Sequence, residues 1–366
     1  MPRVDLGQRI AYYEASEGPP LVASDFDFVC DARSQGEYAE DHVIGALSTP
    51  VLSDEERAQV GTIYKQQSPF EARRLGAALV SQNVARILME HFQGTGSGAR
   101  VLVYCWRGGD RSLSLAHTLS RVGFDVHLMR GGWKAYRARV REELGRLGRF
   151  DLRLVRGVTG CQKTVLLQKL RDLGAQVVDL EGAADHKGSI LGVNVDAPQP
   201  SQKLFESRLA DEVARFDDSR PVFIEGESSL VGQRTVPSAL LHSMRKAGSL
   251  LVEAPMDVRV DFIRQDYKYF EGRAVDELKE RLQRLRQLRG GATVDRWLAQ
   301  VEAGEWDVFV EDMLVSHYDP AYEDAARRDW EGTVLETVHI GAVGDAALEA
   351  AARELLERHD PAALAA

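Results

Sequence analysis

The sequence predicts an α/β fold in two parts, each a parallel sheet flanked by helices. The chain has 366 residues, a length typical of two domains. Short apolar runs alternate with segments of helical spacing, which is the pattern of parallel strands joined by helices. The alternation runs through about the first 135 residues and starts again at residue 152. We therefore expect two α/β units, with the boundary in the helix and linker between residues 135 and 151.

The predicted elements follow in chain order. In the first half we expect strands at 28–31, 101–104 and 125–129, a helix at 111–122 that ends at Gly123, and a helix that begins near Trp133. In the second half we expect strands at 152–155, 176–180, 221–225 and 250–253, a helix at 164–173 that ends at Gly174, and a helical region at about 274–303. The predicted domains are an N-terminal extension at 1–20, a first sheet domain at 21–140, a basic linker at 141–151, a second sheet domain with a helical C-terminal part at 152–350, and a tail at 351–366.

Charge is unevenly distributed along the chain. The net charge of −10 argues against a histone-like nucleic-acid binder. Residues 130–156, however, carry a net charge of +6, and residues 302–331 carry −8. No apolar run is long enough to span a membrane and no secretory signal is present, so we expect a cytoplasmic protein. Three cysteines without zinc-binding spacing fit a reducing compartment and predict no structural metal.

A cysteine, Cys105, follows the apolar run at 101–104 and precedes a glycine-rich loop and a helix. Ligands bind at this edge of open α/β sheets, and the loop amides with the helix N-terminus favour a thiolate. Such a thiolate can attack a chalcogen atom and carry it as a persulfide or selenide-type adduct. The alternative is a core cysteine, as we expect for Cys30. The predicted loop comprises Trp106, Arg107, Gly108, Gly109, Arg111 and Ser112.

This loop resembles that of the rhodanese family. Upstream, Asp31-Ala32-Arg33 and the run His42-Val43-Ile44-Gly45-Ala46 resemble the first motif of that family, with Asp41 where glycine is usual. The resemblance implies a rhodanese-like domain in the first half. We expect Asp31 and Arg33 to order the scaffold through an internal ion pair.

A second loop has the spacing of a phosphate loop and follows a predicted strand. Its predicted diphosphate-binding residues are Gly157, Thr159, Gly160, Lys163 and Thr164. Gln162 stands where the pattern has its second glycine. Three interpretations are open: the backbone has a negative φ there, the site is remodelled for another diphosphate, or phosphate binding is impaired. We interpret Cys161 as a small filler. The second half is thus predicted to be a P-loop NTPase-like α/β domain.

Polar residues near other strand ends are candidates for supporting this second site. They are Asp179, Glu181, His186, Lys187, Ser189, Glu225, Glu227 and Ser228. The acids either bind Mg²⁺, pair with basic groups around a diphosphate, or cap the following helices.

The two loops in this order resemble the family of tRNA 2-selenouridine synthases. Further stretches carry the likeness: residues 60–66, 131–137, 179–181, 186–189, 200–203, 225–228 and 318–322. The resemblance implies a tRNA substrate with 2-thiouridine at the wobble position, selenophosphate as selenium donor and geranyl diphosphate as alkyl donor. Alkylation turns the sulfur into a leaving group that selenium displaces. No permanent cofactor is implied.

Binding of tRNA needs a positive surface, and the basic segment is the candidate. The predicted tRNA-binding residues are Lys134, Arg137, Arg139 and Arg141, and the alternative is a solvated helix face. Trp133 and Tyr136 either stack on a base or pack inside the protein. Two other functions stay open: a P-loop kinase or ATPase fused to a rhodanese sulfur carrier, and a tRNA-binding protein with an impaired phosphate loop.

Overall fold

The computed structural model describes residues 10–15, 23–189, 191–192, 194, 197–226 and 228–365. The chain forms two units. Unit 1 comprises Met1–Glu143 and Pro200–Arg215, and unit 2 comprises Leu144–Gln199 and Phe216–Ala366. Each unit contains a five-stranded sheet whose strand pairs are all parallel. The predicted α/β class is therefore confirmed.

The sheet of unit 1 has the strand order β1-β5-β4-β2-β3. Its strands are β1 Ala11–Glu14, β2 Phe28–Asp31, β3 Leu47–Ser48, β4 Arg100–Tyr104 and β5 Asp125–Arg130. The central strand β4 is buried along its last four residues, which explains its continuous apolar run. Its side chains pack into a core with Val84 and Ile87 on one helix and Leu115 and Leu119 on another.

Unit 1 also contains helices. They are α1 Gln35–Glu40, α2 Asp54–Gln66, α3 Pro69–His91, α4 Asp110–Val122, α5 Gly132–Leu147 and α8 Gln202–Val213. Helix α4 ends as predicted, because Gly123 takes the left-handed conformation with φ +117° and donates its N–H to the carbonyls of Leu119 and Ser120. Helix α2 begins with a capping box between Ser53 and Glu56, which satisfies two amides at its N-terminus.

The sheet of unit 2 has the strand order β12-β11-β6-β8-β7. Its strands are β6 Leu152–Arg156, β7 Gln176–Val178, β8 Val222–Glu225, β11 Gly248–Glu253 and β12 Val334–His339, and a hairpin is formed by β9 Leu230–Val231 and β10 Arg234–Thr235. Helices of this unit are α6 Lys163–Asp172, α7 Leu180–Ala184, α9 Ser238–Lys246, α10 Met256–Asp266, α11 Val275–Arg284, α12 Arg286–Arg289, α13 Gly291–Ala303, α14 Trp306–Met313, α15 Asp319–Asp329 and α16 Asp345–His359. A π-helical turn, Leu314–Tyr318, joins α14 to α15, and 3₁₀ turns occur at Ala23–Asp25, Lys268–Glu271 and Pro361–Ala365.

Two hydrophobic cores lie in unit 2 among the residues that the structure describes. One lies against the sheet and contains α6 and α16, with Leu166, Leu355 and Leu356 among its buried residues. The other lies in the helical part, around Trp297 and Phe309. Among the residues that the structure describes, no helix combines the length and apolarity needed to cross a membrane.

Four segments differ from the predicted domain boundaries. Strand β1 lies inside the predicted extension 1–20, where it pairs with β5. Helix α16 runs across the predicted start of the tail at residue 351, because Leu355 and Leu356 are fully buried in the core. Helix α8 follows the phosphate loop in sequence but belongs to unit 1. The predicted linker 141–151 contains the last turns of α5.

Candidate functional site

The first candidate site surrounds Cys105 at the carboxyl end of β4. Its side chain is 3% exposed and points toward the N-terminus of α4. The backbone N–H of Gly109 donates to Cys105 Sγ at 3.3 Å, and Ser112 Oγ donates to the same sulfur at 3.1 Å. Two donors therefore converge on the sulfur at the N-terminus of α4, a place where the backbone favours negative charge.

Glycines shape this cradle because another backbone segment packs against it. Gly108 has φ +72°, and a Cβ atom there would lie 2.8 Å from the carbonyl oxygen of Met129. Gly132 has φ +57°, and a Cβ atom there would collide with the carbonyl oxygen of Cys105 and lie 2.6 Å from the amide nitrogen of Gly108. The sequence prediction did not include Gly132 among the site residues, although Gly132 belongs to the stretch 131–137 that carries the family likeness.

Of the charged residues of the cradle, one forms an ion pair and two are exposed to solvent. Arg111 donates to Glu37 at 2.7 Å, so part of its capacity to hold an anion is already used. Burial raises the pKa of Glu37, but hydrogen bonds from Arg111 and Ser34 outweigh this effect and lower the pKa. Arg107 is exposed at the rim of the loop, and so is Asp110.

Hydrogen bonds and ring stacking hold the residues that surround this loop. Arg33 donates to Asp31 at 2.6 Å, which confirms the predicted internal ion pair. Trp106 stacks on Trp133 with ring centroids 4.6 Å apart, and Trp133 Nε1 donates to Asp41 at 2.9 Å. Asp41, the departure from the family motif, is therefore a buried acceptor.

Cys30 is the core cysteine that the sequence predicted. It is fully buried, and this burial raises the pKa of its thiol to about 12. The thiol therefore stays protonated at neutral pH.

The second candidate site is the loop between β6 and α6. All five predicted diphosphate-binding residues line one cleft of about 1540 Å³, together with Glu181, Lys187, Ser189 and Ser228 from the predicted supporting set. Arg259 donates to the carbonyl of Thr159 at 2.8 Å and forms an ion pair with Asp319. Arg259 was missed by sequence reasoning, and its partner Asp319 belongs to the stretch 318–322.

Gln162 takes a left-handed conformation, with φ +64° and ψ +27°. The interpretation that φ is negative there is wrong. The side chain is 2% exposed, and its Nε2 donates to the carbonyl of Ala342 at 3.3 Å. It thus adopts the backbone of the glycine it replaces, at a cost of about 1–2 kcal/mol for an L-residue.

Cys161 lies fully buried beneath this loop. Its Sγ donates to the carbonyl of Val158 at 2.9 Å, and a Cβ atom on Gly157 would lie 2.6 Å from it. Its position in the core fits the interpretation as a small filler.

The supporting acids have different roles. Thr164 Oγ1 donates to Glu181 at 3.1 Å, and the backbone N–H of Glu181 donates to Glu225 at 2.9 Å, which links the loop to two strand ends. Asp179 instead caps α7 by accepting from the N–H of Gly182 at 2.6 Å. Glu227 lies outside the described residues.

The remaining supporting residues border the same region. His186 is buried and lines a neighbouring cavity with Glu181, and burial lowers the pKa of its imidazole. Lys187 Nζ donates to Asp266 at 2.6 Å and lies 4.5 Å from the ring centroid of Tyr267. Ser228 donates to the carbonyl of Leu230 at 3.1 Å.

The predicted basic face of α5 is smaller than expected. Lys134 and Arg141 are exposed, and Arg139 is partly exposed and pairs with Glu143 at 2.8 Å. Arg137 is 7% exposed and is bonded to Glu206 and to Ser207, so its place in an exposed tRNA-binding face is corrected. The carboxylates of Glu206 and Asp41 account for its burial, because they compensate its charge. Trp133 and Tyr136 are also buried and pack inside unit 1.

Comparison with known proteins gives matches along most of the chain. A family model described as the tRNA 2-selenouridine synthase AAA domain matches residues 150–289, and a rhodanese-like domain model matches residues 13–139. A tRNA 2-selenouridine synthase of Nitrosomonas europaea is 35% identical over 242 residues, which is 65% of this chain and 62% of that protein. This alignment therefore spans less than two thirds of that relative.

Longer alignments are found with other relatives of the same name. The protein of Bdellovibrio bacteriovorus is 30% identical over 339 residues, covering 81% of this chain and 88% of its own length. That of Chromohalobacter salexigens is 31% identical over 338 residues, covering 85% and 90%. Among solved structures, the N-terminal domain of a putative ATP/GTP binding protein from Clostridium difficile 630 is 38% identical, covers 31% of this chain and 88% of that one, and has a TM-score of 0.29.

Proposed function

Because this chain belongs to the family of tRNA 2-selenouridine synthases, we propose that it is a transferase that replaces sulfur by selenium in tRNA. Its substrate is the wobble 2-thiouridine, and the product is 2-selenouridine. One observation carries this proposal: a single chain holds a thiol cradle at Cys105 and a phosphate loop at Gly157–Thr164. The first suits a selenium donor, and the second suits a diphosphate leaving group.

The first step in this proposal is alkylation of the thiouridine sulfur. The sulfur attacks C1 of geranyl diphosphate, the C1–O bond breaks, diphosphate leaves and the base loses its N3 proton. Lys163 and the loop amides stabilise the charge that develops on the diphosphate. Thr164 and Glu181 offer the hydroxyl and carboxylate oxygens that Mg²⁺ prefers, and they would hold such an ion beside the diphosphate, where it would neutralise negative charge.

The second step exchanges the alkylated sulfur for selenium. The selenium of selenophosphate attacks C2 of the base, the C2–S bond breaks and geranyl thiol leaves. Water then cleaves the Se–P bond and releases phosphate. The role of Cys105 in this step is to position the selenium species, supported by the donors from Gly109 and Ser112. Arg107 is exposed at the rim and supplies positive charge for the selenophosphate anion.

The tRNA contacts in this proposal come from exposed basic residues of α5. Lys134 and Arg141 are exposed, and they lie in the segment 130–156 with its net charge of +6. Phosphate contacts of this kind position a nucleic acid without reading its sequence.

The test is a nucleoside analysis. The full chain is incubated with tRNA that carries 2-thiouridine, with selenophosphate and with geranyl diphosphate, and the digested nucleosides are measured by mass spectrometry. We expect S-geranyl-2-thiouridine and 2-selenouridine. Absence of both would overturn the proposal. Nucleotide turnover without a tRNA product would favour a kinase or ATPase, and tRNA binding without turnover would favour a binding protein.

A further inference from the structure

An apolar cavity adjoins the phosphate-loop cleft of unit 2. The two share five lining residues, listed here from the loop outward along the chain: Thr159, Ser189, Ile263, Tyr267 and Tyr318. These shared residues place the cavity beside the cleft, where the apolar end of a ligand bound at the phosphate loop would lie.

The walls of this cavity are built from the helical core of unit 2. Helix α10 contributes Ile263, and α14 contributes Trp306, Phe309 and Val310. The charged side chains in the wall are compensated by one another, since Arg264 donates to Glu271 at 2.9 Å. The surface offered to a ligand is therefore mainly hydrocarbon.

The junction between cleft and cavity is polar on one side. Ser189 is hydrogen-bonded to the hydroxyl groups of Tyr267 and Tyr318. Burial raises the pKa of Tyr318 to about 12, so its hydroxyl stays protonated at neutral pH. A ligand at this junction meets phosphate-binding groups on one side and an apolar pocket on the other.

We propose that the cavity holds the hydrocarbon chain of the diphosphate substrate and that the aromatic wall of Trp306 and Phe309 limits the length of that chain. The proposal rests on the proposed function and deepens it. The occupant is the prenyl chain because the cavity borders the phosphate-loop cleft along five shared residues, and a prenyl diphosphate is polar at one end and apolar at the other.

The wall that limits the chain lies away from the shared residues. Trp306 and Phe309 contact each other edge to face, with ring centroids 6.2 Å apart, and neither lines the cleft. Phe309 is buried, with 5% of its surface exposed, and Trp306 is partly exposed. A chain longer than the cavity meets these rings before its diphosphate reaches Lys163.

The experiment compares dimethylallyl, geranyl and farnesyl diphosphate as alkyl donors for 2-thiouridine tRNA, with kcat/KM for each donor measured from the alkylated nucleosides. We expect the wild type to prefer geranyl diphosphate. Phe309→Ala, or Phe309→Leu if the alanine variant does not fold, shifts the ratio of farnesyl to geranyl use upward by about tenfold or more. Val310→Trp fills the cavity and shifts preference toward dimethylallyl diphosphate by a similar factor.

Val308→Ala is the matched control, because Val308 lies on the same helix and is 52% exposed. It should leave the three ratios unchanged. Donor ratios that stay at wild-type values in the Phe309 and Val310 variants would overturn the inference and leave the proposed function standing. A wild type that alkylates with none of the three donors would instead overturn the proposed function.

Discussion

The loop after Cys105 and the phosphate loop both join a buried strand to a helix, but they use different residues to do so. Each follows a buried parallel strand, turns through glycines with positive φ and opens a helix. Around Cys105, the positions with positive φ are glycines, Gly108 and Gly132 among them. In the phosphate loop, Gly157 and Gly160 are joined by Gln162, which has φ +64°.

The difference shows what makes glycine necessary. At Gly132, a Cβ atom would collide with the carbonyl oxygen of Cys105, so no side chain fits there. At Gln162 the side chain has space, and it reaches the carbonyl of Ala342. Positive φ alone costs an L-residue about 1–2 kcal/mol, whereas a collision with backbone adds the cost of overpacking.

The largest expected effect separates the chemistry of the two loops. Cys105→Ser should lower selenation by about 10³-fold or more, because the selenium step depends on the thiol at the centre of the cradle. Geranylation should continue, since the phosphate loop is intact. Nucleoside mass spectrometry measures both products. Loss of both products in a folded variant would show that the steps are not separable.

The reciprocal change acts on the phosphate loop. Lys163→Met should lower alkylation by about 10²–10³-fold, because the charge on the leaving diphosphate loses its ammonium partner. If the alkylated tRNA is supplied, selenation should proceed at the wild-type rate. Single-turnover measurements with the two tRNA substrates check this, and a rate of selenation that falls with that of alkylation would contradict it.

The next largest effect is on the stability of the Cys105 cradle, where a side chain at position 132 would collide with the backbone. Gly132→Ala should lower the free energy of unfolding by about 3 kcal/mol, from the left-handed backbone and the collision with Cys105. Gly145→Ala on the same helix is the control, because its Cβ meets no atom within 4 Å. The control should raise stability by about 0.5–1 kcal/mol. Equal effects in urea denaturation would refute the steric argument.

Strain at Gln162 gives a smaller effect. Gln162→Gly should be more stable than Gln162→Ala by about 1 kcal/mol, because glycine adopts the left-handed backbone without penalty. The dissociation constant of inorganic diphosphate should change little in the glycine variant, since the backbone already has the glycine-like conformation. Thermal denaturation and calorimetric titration measure the two quantities. A large gain in diphosphate affinity would show that the natural loop is impaired.

The smallest effect concerns the basic helix beside the cradle. Lys134→Ala should lower the salt dependence of tRNA binding by about one phosphate contact and leave the fold unchanged. Arg137→Ala should leave the salt dependence of tRNA binding unchanged and should lower the stability of the fold, because Arg137 is buried against Glu206 and Asp41. Binding titrations at several salt concentrations, with denaturation in parallel, distinguish the two residues. A reduced salt slope in the Arg137 variant would contradict its assignment to the interior.

Local patterns in the sequence were sufficient for the strands and helices around both loops. The apolar run before Cys105 and the glycine at position 123 depend on near neighbours, and both are confirmed. Edge strands β1 and β12 were not predicted, because an exposed strand lacks a continuous apolar run.

Long-range pairings explain which site residues the sequence analysis missed or placed wrongly. Arg137 has the spacing of a surface residue on a helix, and its burial depends on Glu206, which lies 69 residues further along the chain. Arg259 supports the phosphate loop from 100 residues away. The sequence did not predict the sign of φ at Gln162, because a residue other than glycine at this position does not show which backbone conformation it adopts. Pairings at such separations leave no mark in local spacing.

The membership of Pro200–Arg215 in unit 1 has a consequence for how the protein is made. Asp41 accepts a hydrogen bond from Ser207 at 2.7 Å, and Arg137 is paired with Glu206. During synthesis these buried groups lack the partners at Glu206 and Ser207 until residue 207 has emerged from the ribosome. The N-terminal unit therefore cannot complete its fold before part of the phosphate-loop unit has been translated. A gene fragment that ends at residue 143 would encode an incomplete unit.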